Sequence, residues 1–157
     1  NWFKSNKDQI NKFNTHIENH IKSNPKSKED VKLMESIAGV GFITASSILG
    51  YLPEIFVANN KSLAALSGLA PMNKDSGNYS GKRRIFGGRS QVRNILYMET
   101  LSAKTYNPVI KDFFDRLIKK GKPFKTAMTA AMRKLLTIIR SVVTRRTPWV
   151  NEAPINI

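Results

Sequence analysis

Ser76 is the residue of this sequence best suited to covalent chemistry. It lies between Asp75 and Gly77 in the stretch PMNKDSGNYSGKRRIFGGRS, residues 71–90, which contains four glycines, three serines and five Lys or Arg residues. A serine hydroxyl is a weak nucleophile unless a base or a cationic setting activates it, and arginines nearby can hold a target phosphate in line. The pattern therefore fits a serine that attacks a phosphate.

Six basic residues flank Ser76 in the sequence and are the candidate nucleic-acid ligands: Lys74, Lys82, Arg83, Arg84, Arg89 and Arg93. A simpler interpretation fits the same residues. Ser-Gly pairs are common in turns, and many basic loops bind phosphate without catalysing anything. On the residues alone, catalysis and simple binding both remain open.

The charge of the chain indicates a polyanionic partner. Its 157 residues include 26 Lys or Arg and 11 Asp or Glu, a formal net charge of +15, which favours nucleic acid. Cysteine is absent, which excludes disulfides, thiolate nucleophiles and zinc knuckles. His16 and His20 are four residues apart but have no third ligand near them in sequence, so no metal site is predicted in this chain.

The length predicts one domain, with or without an appendage. No apolar run approaches the roughly 18 residues that a membrane span needs. The chain opens without a signal-type segment. We therefore expect a cytoplasmic, bacterial, nucleoid-associated protein without a membrane partner. The first segment resembles the middle of a longer protein, and the chain is expected to be a fragment.

The apolar periodicity predicts a mainly α fold. Residues 1–27 form a helical connector in which Phe3, Ile10 and Ile17 recur every seven residues, as in a coiled coil; a helix lying on its own domain is the alternative. The helical domain is expected over residues 28–148, followed by a tail over 149–157.

The stretch MESIAGVGFITASSILGYL resembles a helix-hairpin-helix. A first helix is expected to end at Ile37, Gly39 and Gly41 permit a tight turn, and a second helix starts near Phe42. Such a hairpin aims the N–H groups at the start of its second helix towards a phosphate. A plain helical corner, in which the glycines only allow close packing, is the alternative.

The rest of the chain predicts four more helices. A short one follows Asn60 as its N-cap and ends at Gly68, and another begins at Ser90 as its cap. Two more run from Pro108 to Gly121 and through the last long apolar pattern, whose core stripe is Ala127, Ala131, Leu135, Ile138 and Val142. Between the helix that ends at Gly68 and the helix that begins at Ser90, the stretch NYSGKRRIF could form a small β-hairpin.

The order of these motifs resembles the C-terminal domain of insertion-sequence transposases of the one-ten family, whose relatives include the pilin-gene invertase. The resemblance runs from about Glu35 to Val143. Its signature reads SGLAPMNKDSG here, with Ser67 where alanine is usual.

The resemblance implies a recombinase domain in which Ser76, by motif match, attacks a DNA phosphate and forms a phosphoserine link. It further implies a RuvC-like N-terminal domain that binds magnesium through four acidic residues, a structured guide RNA, and a homo-oligomer, dimer or tetramer. No cofactor is expected in this chain, which alone would be catalytically incomplete. The alternative is a non-catalytic helix-hairpin-helix module that binds nucleic acid.

Overall fold

The chain folds mainly into α-helices, as predicted. In a computed structural model, the backbone is described for residues 2–72, 75–76, 79–80, 84–85 and 87–150, and the side chains for residues 6–71, 85 and 87–150. The described residues form a 3₁₀ turn, Pro53–Phe56, and seven helices: α1 Trp2–Ser23, α2 Pro25–Glu35, α3 Phe42–Tyr51, α4 Asn60–Leu66, α5 Ser90–Tyr106, α6 Pro108–Lys119 and α7 Phe124–Arg145.

Helix α7 lies at the centre of the core. All five residues of its predicted apolar stripe are buried, which confirms that stripe. Helices α2, α4, α5 and α6 and the 3₁₀ turn all contact α7. They contribute large, fully buried side chains, namely Met34, Ile55, Leu63, Leu96 and Ile110. Burial of this continuous apolar surface is the main force that holds the helices together.

Only the last turn of α1 joins this core. Ile21 is buried, whereas the exposed fractions of Ile10, Phe13 and Ile17 are 58%, 69% and 40%. The predicted helix is confirmed, and its apolar stripe over residues 10–17 does not lie on the domain. A coiled coil remains a prediction, and the side chain of Phe3 lies outside the described residues.

Helix α2 begins earlier and ends earlier than the sequence predicts. The sequence predicts that α2 starts near Lys28, but the helix starts at Pro25. The Asn24 side chain caps this start, because it accepts hydrogen bonds from the N–H groups of Lys26 and Ser27. The helix ends at Glu35, not Ile37. The expected boundary at residues 27 and 28 therefore lies inside a helix.

Two predicted N-caps are each off by one residue. The cap of α4 is Asn59, whose side chain accepts a hydrogen bond from the Ser62 N–H, while Asn60 is already helical. At α5, Ser90 is the first helical residue and Arg89 occupies the cap position without a side-chain cap hydrogen bond. By contrast, Gly68 and Gly121 have the positive φ, +65° and +75°, expected just beyond a helix end.

Two short antiparallel strand pairs lie between α4 and α5 along the chain, and we call their described residues the β-ribbon. Strand β1, Pro71–Met72, pairs antiparallel with β4, Arg84–Ile85, and β2, Asp75–Ser76, pairs antiparallel with β3, Tyr79–Ser80. The predicted hairpin within residues 78–86 is therefore wrong in its pairing, because both of its strands pair with earlier residues. The two-residue connection between β2 and β3 is Gly-Asn, a sequence that suits a tight hairpin.

The segment after α7 is held against α2. Arg146, in a left-handed conformation with φ of 56°, pairs with Asp30 and, at 2.6 Å, with Glu29. The Trp149 N–H donates to the Ser36 hydroxyl at 2.7 Å. Residue 149, the first of the expected tail, thus contacts the domain. Within the described part of the chain, no helix is long and apolar enough to cross a membrane.

Candidate nucleic-acid interface

The two ends of the β-ribbon meet at a pair of glycines. Gly68 follows α4, Gly88 precedes α5, and both have positive φ, +65° and +71°. A Cβ atom on Gly88 would overlap the backbone of Gly68, and one on Gly68 would overlap the carbonyl oxygen of Gly87. The Arg89 N–H also donates to the Leu66 carbonyl at 2.7 Å. The base of the ribbon is therefore tied to the helical domain by backbone contacts that only glycine allows.

The Arg89 side chain braces this base. Its Nη1 and Nη2 atoms contact the two carboxylate oxygens of Glu54 at 2.6 and 2.5 Å, and Nη1 also donates to the Tyr51 carbonyl at 2.8 Å. The hydrogen bond from Arg89 is the main reason that the pKa of Glu54 falls from 4.5 to about 2. Three of the five guanidinium N–H donors are thus used inside the protein.

The Arg93 side chain also contacts the base of the ribbon. Its Nη1 donates to the Gly87 carbonyl at 2.8 Å, and its side chain is half-buried. Both arginines at the start of α5 therefore support the second arm of the ribbon. Neither contact was predicted from the sequence, which indicated phosphate ligands at both positions.

Ser76 lies in β2, in the strand pair that is farther along the chain from this base. Ser76 pairs with Tyr79 beside the two-residue connection, whereas the β1–β4 pair is nearer in sequence to α4 and α5. The backbone of Arg84 is described in β4, on the arm opposite β1. Lys74, Lys82 and Arg83 lie outside the described residues, so their role remains a prediction.

At the other predicted site, the helix-hairpin, the start of α3 already has an anionic partner. The Gly41 N–H donates to Glu99 Oε1 at 3.2 Å, and the Thr44 hydroxyl donates to Glu99 Oε2. Burial is the main cause that raises the pKa of Glu99 above its ordinary value. The carboxylate thus lies where a phosphate was expected to meet the N–H groups of α3.

Gly39 explains why α5 can supply that carboxylate. Its φ is +91°, and a Cβ atom there would lie 2.6 Å from Cα of Ala103 on α5. The close approach brings Glu99 to the start of α3. Sequence reasoning missed this role, although one signal was present: Glu99 is an acidic residue at helical spacing with the buried Leu96 and Ala103.

A hollow of about 520 Å³ opens beside Glu99, bordered by Gly41, Thr44 and Ser102. Among the described residues, including those around this hollow, no three His, Asp or Glu side chains gather as a metal site would require. His16 and His20 both lie exposed on α1.

Comparison with known proteins finds a matching family model and two similar curated proteins. Residues 31–115 match the model of the transposase IS116/IS110/IS902 family. The chain is 31% identical over 154 residues to a pilin gene-inverting protein of Moraxella bovis and 31% identical over 147 residues to that of Moraxella lacunata. Each match covers 90% of this chain and 45% of the relative, so the chain spans about half the length of these curated relatives.

Proposed function

Because the chain belongs to the IS116/IS110/IS902 transposase family, we propose that it is the part of a DNA recombinase that binds DNA and supplies Ser76 as the nucleophile for strand exchange. The observation that carries the proposal is the position of Ser76. It lies inside the matched region and next to the connection of a ribbon whose base is held by contacts of Gly68, Gly88 and Arg89.

The proposed step exchanges one phosphate ester for another. The Ser76 hydroxyl oxygen attacks a DNA phosphorus, the Oγ–P bond forms, and the bond from phosphorus to one sugar oxygen breaks. The serine proton leaves to a base or solvent, and the released sugar oxygen takes up a proton. Since the ester bond is retained, a second DNA end can reverse the step without an external energy source.

The basic residues of the ribbon have the complementary role. Lys74, Lys82, Arg83 and Arg84 would contact the DNA backbone and stabilise the negative charge that develops on the attacked phosphate. Arg89 and Arg93 would act one step away, by holding the ribbon in place through Glu54 and Gly87. This division assigns the ligands to the arms of the ribbon and the supports to its base.

The rest of the reaction needs groups outside this sequence. A RuvC-like domain with magnesium would activate the phosphate, and a structured guide RNA would select the DNA. Pairing of two or four copies would bring the exchanging DNA ends together.

Substitution of Ser76 in the complete recombinase, with its RNA and magnesium, tests the proposal. Ser76→Ala should abolish strand exchange and a covalent protein–DNA adduct trapped under denaturing conditions, while DNA binding remains close to that of the wild type, because one neutral contact adds little to binding dominated by charge. Ser80→Ala, in the facing strand, is the matched control and should remain active.

Loss of activity in Ser80→Ala alone would mean that the motif alignment is shifted. Full activity of both variants, without any trapped adduct, would leave a binding module without a catalytic serine.

A further inference from the structure

Helices α4, α6 and α7 enclose a second concave surface, separate from the ribbon and from the Glu99 hollow. It is a groove of about 400 Å³. Lys61 contributes from α4, Phe113 from α6, and Arg133, Lys134 and Thr137 from α7. All of the charged residues that line it are basic. We call it the α4–α7 groove.

The charge of the α4–α7 groove is not compensated within the described residues. Lys61, Arg133 and Lys134 have no ion pair there, whereas the arginines at positions 89 and 146 each pair with a carboxylate. Lys61 and Arg133 are exposed, so their charges face solvent. Three unpaired cations around a concave surface attract an anion with repeated charges more strongly than they attract an anion with a single charge.

The aromatic ring of the groove favours phosphate over bases as the bound group. The Lys134 ammonium lies 5.1 Å from the centroid of the Phe113 ring, and the Arg116 guanidinium carbon lies 5.5 Å from it. Cations therefore cover the ring that a stacked base would need. The ring instead holds Lys134 at the groove, where the ammonium charge can contact the phosphate backbone of a nucleic acid.

We propose that the α4–α7 groove binds the phosphate backbone of duplex DNA next to the segment on which the ribbon acts. This inference rests on the proposed function for its choice of DNA. Lys61 lies in the first turn of α4, and the ribbon starts just after that helix ends. A helix of seven residues is about 10 Å long, so the groove and the ribbon base are separated by roughly three base-pair steps of a duplex. One duplex can reach both.

The test compares two double variants of the 157-residue chain with equal loss of charge. Lys61→Ala with Arg133→Ala removes two groove cations, and Lys28→Ala with Lys32→Ala removes two exposed lysines on α2. Binding of a fluorescent duplex of unrelated sequence is measured by anisotropy from about 50 to 200 mM salt. The groove variant should bind at least about tenfold more weakly near 100 mM salt, and its log-log salt slope should be shallower by about 1.8, two contacts at about 0.9 each.

The α2 variant should lose much less affinity, and both variants should keep the wild-type unfolding midpoint. If the groove variant unfolds, the single variants Lys61→Ala and Lys28→Ala give the same comparison, with an expected slope change of about 0.9 for Lys61→Ala.

Equal binding by the two double variants would overturn the inference while leaving the proposed function intact. If the wild-type chain shows no salt-dependent binding to DNA, both the inference and the proposed function are overturned. A third result would also overturn it: if the groove variant loses affinity for an RNA duplex of the same sequence but not for DNA, the groove serves RNA.

Discussion

Ser67 is fully buried at the C-cap of α4, and its hydroxyl has no hydrogen-bond partner among the described residues. A buried hydroxyl without a partner keeps its desolvation penalty, and alanine removes that hydroxyl. We expect Ser67→Ala to raise the free energy of unfolding by up to about 1 kcal/mol, measured by urea denaturation.

Ser62→Ala, at an exposed position in the same helix, is the control and should change that free energy by less than about 0.5 kcal/mol. Clear destabilisation by Ser67→Ala would mean that the hydroxyl has an unseen partner.

Glu99 adds a pH dependence to stability. Its pKa is raised in the folded state, so the folded protein binds more protons than the unfolded chain, and stability falls as pH rises from the ordinary value of 4.5 through the raised pKa. Glu99→Gln can keep both hydrogen bonds, with its carbonyl facing Gly41 and its amide facing Thr44, but it does not ionise. We expect the variant to gain stability over the wild type as pH rises through this range, measured by thermal unfolding at a series of pH values.

The matched control is Glu35→Gln, an exposed carboxylate beside the same hollow. An equal pH trend in both variants would show that the effect does not come from the buried site at α3.

At the scale of elements, the ribbon is held by backbone contacts at its base, and the Arg89 side chain adds to them. Arg89→Ala should lower the unfolding temperature at neutral pH, because it removes the bidentate pair with Glu54 and the bond to Tyr51. The pKa of Glu54 is lowered in the folded state, so this stabilisation is present above 4.5 and is lost as pH falls towards about 2. The difference in unfolding temperature between wild type and variant should shrink over that range.

The arms of the ribbon should behave in the opposite way. Arg83→Ala with Arg84→Ala is expected to weaken DNA binding and strand exchange while the unfolding temperature remains nearly unchanged, since these residues are assigned to phosphate rather than to the fold. Thermal unfolding and anisotropy on the same samples separate the two roles. If this double variant unfolds and Arg89→Ala does not, the assignment of supports and ligands is reversed.

For the whole molecule, charge is the dominant property. The formal net charge is +15, and the ion pairs among the described residues use only Lys22, Arg89 and Arg146 as cations. Most of the positive charge therefore remains available to a polyanion. We expect duplex binding by the chain to weaken steeply with salt, by about 0.9 in log-log slope for each phosphate contacted. An affinity that does not change between about 50 and 200 mM salt would contradict this.

By itself, the sequence determined the features that depend on near neighbours along the chain. The 3.6-residue spacing of Ala127, Ala131 and Leu135 predicted the buried face of α7, and the glycines at 68 and 121 marked helix ends. The order of the motifs along the chain indicated the family and, within its signature, the position of Ser76. Helix ends were less certain, because either Asn59 or Asn60 can cap α4 by sequence alone.

Only the tertiary structure decided which charged groups meet. Arg89 and Glu54 are 35 residues apart, and Glu99 is 58 residues from Gly41, so neither contact leaves a local pattern. An arginine in a basic loop looks the same in sequence whether it binds a phosphate or a carboxylate of its own chain. Packing of α5 and of the 3₁₀ turn against α3 settles that difference, because it sets which opposite charges lie within hydrogen-bond distance.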